Sequence, residues 1–70
     1  MDKKTEFYIY LIEKYAEYKK MSTPIVVAKL EELNLTDVVY EMYEKYHIEA
    51  IENAFQDIDR LIYEKENESI

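Results

Sequence analysis

The clearest helical pattern in the chain is Ala50-Ile51-Glu52-Asn53-Ala54-Phe55-Gln56-Asp57-Ile58-Asp59-Arg60-Leu61-Ile62. Its apolar residues recur at steps of three and four, which is the period of an α-helix with one buried face, and its charged residues lie between them. Ile58 stands in the middle of the apolar stripe. The pattern predicts an amphipathic helix over residues 49–63 that packs its inner face on other helices.

The segments upstream of this stretch are also predicted to be helices. In the first of them Leu11, Ile12 and Tyr15 recur at helical spacing. The β-branched run at residues 25–27 is assigned to a helix as well, because a lone strand without a pairing partner would be unstable. The predicted fold is therefore all-α, a small bundle of four helices at about residues 5–20, 24–33, 36–47 and 49–63.

The predicted helix ends depend on polar side chains, because the chain contains no glycine. Thr23 and Thr36 are predicted to cap the second and third helices with their hydroxyl groups. Asn34 is predicted to take the left-handed conformation that ends the second helix, with Leu35 folding back on Leu30.

Length and composition limit what this chain can do. Its 70 residues hold 16 Asp+Glu against 9 Lys+Arg, a formal net charge of -7, with Cys 0 and Gly 0. We expect one domain over residues 1–63 and a frayed acidic tail over residues 64–70. Without cysteine there is no thiolate nucleophile or zinc–thiolate site, and without glycine there is no phosphate-binding loop. We therefore expect no enzymatic activity, no cofactor and no metal.

The negative charge also bears on partners. An acidic surface repels phosphates and anionic lipid, so neither nucleic acid nor a membrane is an expected partner. The longest apolar run, residues 7–12, is far shorter than the ~20 residues that span a bilayer, and we expect a cytoplasmic protein. Residues 24–70 carry most of the acidic excess. This acidic segment would attract a basic protein as its partner.

Two pairs of residues have spacings that suggest a metal site or an acid–base site, but a structural role explains each pair better. Glu44 and His47 have the spacing of a metal-binding pair in di-metal helix bundles, yet the chain has a single histidine. His47 is predicted instead to donate to the last carbonyls of the third helix. Asp57 and Asp59 are two residues apart, so on a helix they point about 200° apart and cannot share a proton. Asp59 is expected to be solvated.

The eight tyrosines exceed what so small a core needs, and each hydroxyl requires water or a partner. One interpretation is a protein-binding surface, since rigid aromatic area binds at low entropic cost. The alternative, that tyrosines fill the core boundary in place of tryptophan, has equal weight. The residues assigned to partner binding are Tyr40, Tyr43, Glu44, His47, Glu52 and Asp57.

Two stretches, FYIYLIEKYA at residues 7–16 and YHIEAIENAFQDID at residues 46–59, resemble a bacterial family of domains of unknown function, number thirty-seven ninety-one. The similarity extends over about residues 5–62. Members are short, acidic and helical, and their genes often lie beside a reading frame that resembles an ADP-ribosyltransferase. That arrangement implies a toxin and antitoxin pair, with this chain as the neutralising partner.

Within the resemblance, His47, Asp57 and Ile58 match the family pattern, whereas Ile48 stands where a threonine is expected. The change removes a hydroxyl that would cap the fourth helix. Two functions remain open. One is a non-catalytic module that binds a basic protein, as an antitoxin-like partner would, and the other is a self-associating structural protein that forms a homodimer.

Overall fold

The chain folds into α-helices joined by short turns. The computed structural model describes residues 2–68, and within that range it contains no strand and no helix long and apolar enough to cross a membrane. The all-α prediction of a four-helix bundle is confirmed, with the third helix divided into two short segments. The helical segments are α1 (Lys3–Lys19), α2 (Thr23–Glu32), α3 (Thr36–Tyr40), α4 (Tyr43–Tyr46) and α5 (Glu52–Glu68).

The third helix is divided by a turn at Glu41 and Met42. The backbone remains near helical angles there, but its hydrogen bonds tighten: Met42 N–H donates to the Val39 carbonyl at 3.0 Å, and Glu44 N–H to the Glu41 carbonyl at 3.2 Å. Bonds between residues three apart wind the chain more tightly than an α-helix. Met42 and Tyr46 are both buried on the inner side of this turn.

The core lies where the inner faces of the helices meet. The predicted stripe of α5 is confirmed, since Ile58 is 0% exposed and packs in one cluster with Leu11 of α1 and Leu30 of α2. No charged or polar residue is buried among the described residues, so apolar burial is what holds the helices together. The remaining buried side chains are Ile12, Tyr15, Ala16, Val26, Leu35, Val39, Met42, Tyr46, Ala54 and Phe55.

The predicted end of α2 is confirmed. Asn34 has a φ of 58°, in the left-handed region. Leu35 N–H donates to the Leu30 carbonyl at 2.8 Å, and Asn34 N–H to the Glu31 carbonyl at 3.1 Å. These two bonds satisfy carbonyls that the helix leaves without partners, and they turn the chain back toward the core.

α1 begins earlier than predicted and ends within one residue of the predicted position. The helix begins at Lys3 rather than Thr5, because the Asp2 carboxylate accepts from the Thr5 N–H at 2.7 Å and caps it. It ends at Lys19, and the capping residue Lys20 has a φ of 58°, which gives a second left-handed turn, with Met21 N–H donating to the Ala16 carbonyl at 2.9 Å. Lysine seldom takes this conformation, so this turn could not be predicted from the residue type.

The prediction that Thr23 and Thr36 cap helices with their hydroxyls is wrong. Ser22 is the N-cap residue of α2, and it accepts through its backbone carbonyl rather than its side chain. Leu35 is the N-cap residue of α3. The left-handed turn before it leads directly into the helix, and Thr36 is therefore already inside the first turn.

α5 begins three residues later than predicted and continues through Glu68, so the predicted frayed tail is helical as far as that residue. Contacts that hold this extension include Lys29 Nζ, which lies 2.8 Å from Glu66 Oε2, and the Asn67 amide, which donates to the Tyr63 carbonyl at 2.7 Å. Residues 69–70 of the predicted tail lie outside the described range.

Candidate functional site

Two buried tyrosines bond to two aspartates of α5. The Tyr15 hydroxyl on α1 donates to Asp59, and the Tyr46 hydroxyl on α4 donates to Asp57. The two carboxylates contact different helices, which agrees with the prediction that they point apart. Each tyrosine therefore places its ring in the core and its hydroxyl at the rim, as expected for tyrosines that fill a core boundary.

Asp57 is engaged entirely within the chain. Besides the Tyr46 hydroxyl, it meets Arg60 Nη2 at 3.2 Å and Lys45 Nζ at 3.5 Å. The hydrogen bond from Tyr46, followed by the positive charges of Lys45 and Arg60, lowers the pKa of Asp57 below its ordinary value. The carboxylate thus stays ionised and tethers α4 to α5.

Asp59 is not the solvated residue that the sequence predicted. It accepts from Tyr15 and lies 3.2 Å from Lys19 Nζ. Burial, and then the hydrogen bond to Asp59, raises the pKa of Tyr15 above its ordinary value. The expectation failed because Tyr15 lies on a different helix, and a pattern within α5 carries no information about that contact.

The predicted role of His47 is confirmed. Its ring stacks on that of Tyr43, with centroids 4.3 Å apart and planes inclined by 14°, and Nδ1 lies 2.6 Å from the Tyr43 carbonyl oxygen. A carbonyl only accepts, so Nδ1 carries the hydrogen. Phe7 packs edge-on against Tyr43 at 5.7 Å, which holds the stacked pair against α1. Within residues 2–68 no group of three potential metal ligands occurs.

The connection from α4 to α5 exposes an apolar side chain that sequence reasoning did not single out as a binding residue. Ile48 is 82% exposed. In the sequence it stood out for two other reasons, its place between two predicted helices and its departure from the threonine of the family pattern. We call its surroundings the α4–α5 surface, which consists of Tyr43, Glu44, His47, Ile48, Glu49 and Glu52.

The other two residues assigned to binding, Tyr40 and Asp57, contribute elsewhere. The Tyr40 side chain is partly buried, and its hydroxyl lies 2.6 Å from Thr5 Oγ1. Its ring packs against the ring of Tyr8, with the two centroids 5.7 Å apart. Lys4 Nζ lies 5.9 Å from the centroid of the same ring. Tyr40 thus joins α3 to α1. Four of the six assigned residues, Tyr43, Glu44, His47 and Glu52, flank the connection between α4 and α5.

A cleft of about 450 Å³ opens between α1, α2 and α5. Two ion pairs border it, Lys19 with Asp59 at 3.2 Å and Lys29 with Glu66 at 2.8 Å. The sequence patterns did not reveal this cleft, because its walls come from three separate helices. The side chains that line it are Tyr15, Lys19, Met21, Val26, Lys29, Asp59, Ile62, Tyr63 and Glu66.

The sequence over residues 6–65 matches the model of one family, described as protein of unknown function (DUF3791). This range spans nearly all of the helical bundle, and it confirms the resemblance seen in the two stretches at residues 7–16 and 46–59. No curated protein and no solved structure matches the chain significantly. The chain belongs to the DUF3791 family of proteins of unknown function.

Proposed function

We propose that this chain is a non-catalytic module that binds a basic protein through the α4–α5 surface. Following the family resemblance, we propose a cytoplasmic antitoxin-like role, with a toxin that resembles an ADP-ribosyltransferase as the partner. The observation that carries the proposal is the exposure of Ile48, which is 82% exposed and directly follows His47, whose ring stacks on that of Tyr43.

The composition of this surface supports protein binding. Interfaces commonly have an apolar or aromatic centre surrounded by polar groups that exclude water. Here Ile48 and the stacked rings supply the centre, while Glu44, Glu49 and Glu52 supply exposed acidic groups around it. The stack is held by the Nδ1 hydrogen bond of His47, so little side-chain freedom would be lost on binding.

The charge of the surface favours a basic partner. The cations nearby are already engaged within the chain, because Lys45 Nζ lies 3.5 Å from Asp57, and Lys4 Nζ lies 2.8 Å from Glu41 and 3.8 Å from Glu44. Such an acidic surface accelerates association with a positively charged protein and disfavours nucleic acid and anionic lipid.

The bonding of the tyrosines supports a non-catalytic role. A catalytic acid or base must be free to reach a substrate. The hydroxyls of Tyr15 and Tyr46 instead donate to Asp59 and Asp57, and both carboxylates also pair with lysines. These groups hold helices together, and the proposal assigns no cofactor.

Coexpression with the neighbouring ADP-ribosyltransferase-like reading frame tests the proposal. We expect the wild-type chain to relieve toxicity and to elute in a complex with the partner. Ile48→Lys should abolish both effects, because it replaces the apolar centre with a charge that repels a basic surface. Ile25→Lys, the same change at an exposed isoleucine of α2, should leave both intact. Unrelieved toxicity without a complex would refute the proposal.

A further inference from the structure

Exposed apolar side chains surround the cleft between α1, α2 and α5. Tyr63 on α5 is 69% exposed, and Met21, which follows the end of α1, is 39% exposed; both line the cleft. Ile25 is 56% exposed and lies one helical turn before Lys29, another lining residue. Together these side chains form an apolar rim on a chain whose surface is otherwise rich in acids.

The charges at this cleft are balanced. Lys19 pairs with Asp59 at 3.2 Å, and Lys29 pairs with Glu66 at 2.8 Å, so the two cations and two anions among the lining residues cancel. The net charge of -7 is therefore carried by the rest of the chain. Most other approaches between two copies would bring like charges together.

We propose that a second copy of this chain covers the cleft and forms a two-fold symmetric dimer through α2 and α5. A two-fold interface brings a surface onto itself, so the surface must be complementary to itself. A balanced, apolar surface meets that requirement, whereas an acidic one does not. Tyr63, Ile25 and Met21 would be removed from water, and the ion pairs of each copy would remain intramolecular.

A dimer would also compensate for the small hydrophobic core of so short a chain. A domain of 70 residues buries a smaller share of its surface than a larger domain does and has a marginal core, so association with a second copy adds stability by mass action. This interface is separate from the α4–α5 surface, and the inference does not depend on the proposed partner.

Sedimentation velocity on the full chain at increasing concentration tests the inference. We expect a monomer–dimer equilibrium that shifts toward dimer as salt rises from about 0.05 M to about 0.5 M, because salt screens the repulsion between two negatively charged copies without weakening apolar contacts. A chain that stays monomeric at high micromolar concentration, or a dimer that salt dissociates, would overturn the inference.

Variants locate the interface. Tyr63→Glu and Ile25→Glu should each weaken the dimer about tenfold or more, since each loses apolar burial and upsets the charge balance. Ile48→Glu, the matched change on the α4–α5 surface, should leave the dimer unaffected. Circular dichroism verifies that each variant is folded. A dimer that persists in both cleft variants, or that is weakened as much by Ile48→Glu, would place the interface elsewhere and refute the proposal.

The partner-binding proposal and the dimer proposal can be tested separately, because they concern different surfaces. Ile48→Lys should abolish partner binding with the dimer intact, whereas Tyr63→Glu should dissociate the dimer with partner binding intact. A wild-type chain that shows only one of the two properties therefore refutes one proposal and leaves the other intact.

Discussion

The hydroxyl of Tyr15 on α1 donates a hydrogen bond to the carboxylate of Asp59 on α5, a residue 44 positions later in the chain. The Tyr15 ring lies in the core, where its edge meets Phe55 at a centroid distance of 5.8 Å. One side chain thus both fills the core and ties the first helix to the last.

Removal of that hydroxyl should destabilise the fold. Tyr15→Phe keeps the ring and loses the bond to a charged acceptor, and we expect the free energy of unfolding to fall by about 1.5 to 3 kcal/mol. Urea denaturation measures the change. Tyr18→Phe is the control, because the Tyr18 ring stacks on Phe55 at 4.9 Å while its side chain is largely exposed. Equal effects of the two substitutions would contradict the role given to the hydroxyl.

Acid should destabilise the chain through Asp57. Its pKa is lower when folded than when unfolded, chiefly because of the bond from Tyr46, so the carboxylate contributes stability above its unfolded pKa of about 4. That contribution is lost as the pH falls through the folded pKa. Melting temperatures between pH 7 and pH 3 should therefore depend less on pH in Tyr46→Phe than in the wild type.

Some acid dependence should remain in Tyr46→Phe. The pKa of Asp2 is also lowered, by the Thr5 N–H that it caps, and the variant retains this group. A profile in Tyr46→Phe identical to that of the wild type would show that the bond to Asp57 does not lower its pKa.

Truncation of Ile58 should strongly destabilise the packing of α5. The side chain is 0% exposed, so Ile58→Ala leaves a cavity and should cost about 2 to 4 kcal/mol. That loss would unfold a large share of a marginally stable domain. Ile48→Ala, at a side chain 82% exposed, should change the melting temperature little. A negligible change in Ile58→Ala would mean that α5 does not pack as described.

Glycine at the end of α1 should stabilise the chain. Lys20 has a φ of 58°, which costs a residue with a side chain about 1 kcal/mol and costs glycine almost nothing. Lys20→Gly should therefore raise the melting temperature. Part of the gain in stability is offset, because glycine increases the conformational entropy of the unfolded chain. Glu13→Gly, at an exposed position inside α1, should lower stability by about 1 kcal/mol. A loss from Lys20→Gly as large as that from Glu13→Gly would refute this account.

Features that depend on neighbouring residues could be predicted from the sequence. The stripe through Ile58 and the left-handed turn at Asn34 arise within one or two helical turns, and the structure confirms both. The bond of His47 to the Tyr43 carbonyl is also local, because the two residues are four apart. Local pattern and composition therefore sufficed for the fold class.

Contacts between distant segments could not be predicted in the same way. The bond from Tyr15 to Asp59 and the cleft beside it join separate helices, and a single sequence does not specify which side chains meet. The turn at Lys20 was missed for a different reason. A tertiary fold can impose a left-handed angle on a residue whose own preference opposes it.

We propose that the α4–α5 surface binds a basic protein. Isothermal titration calorimetry of the purified chain with a purified ADP-ribosyltransferase-like toxin, the partner proposed above, tests this binding, and Ile48→Lys is the decisive variant. We expect binding that weakens as salt rises, that Ile48→Lys weakens about tenfold or more, and that Ile25→Lys leaves unchanged. Absence of binding by the wild type, or equal loss in the two variants, would contradict the claim.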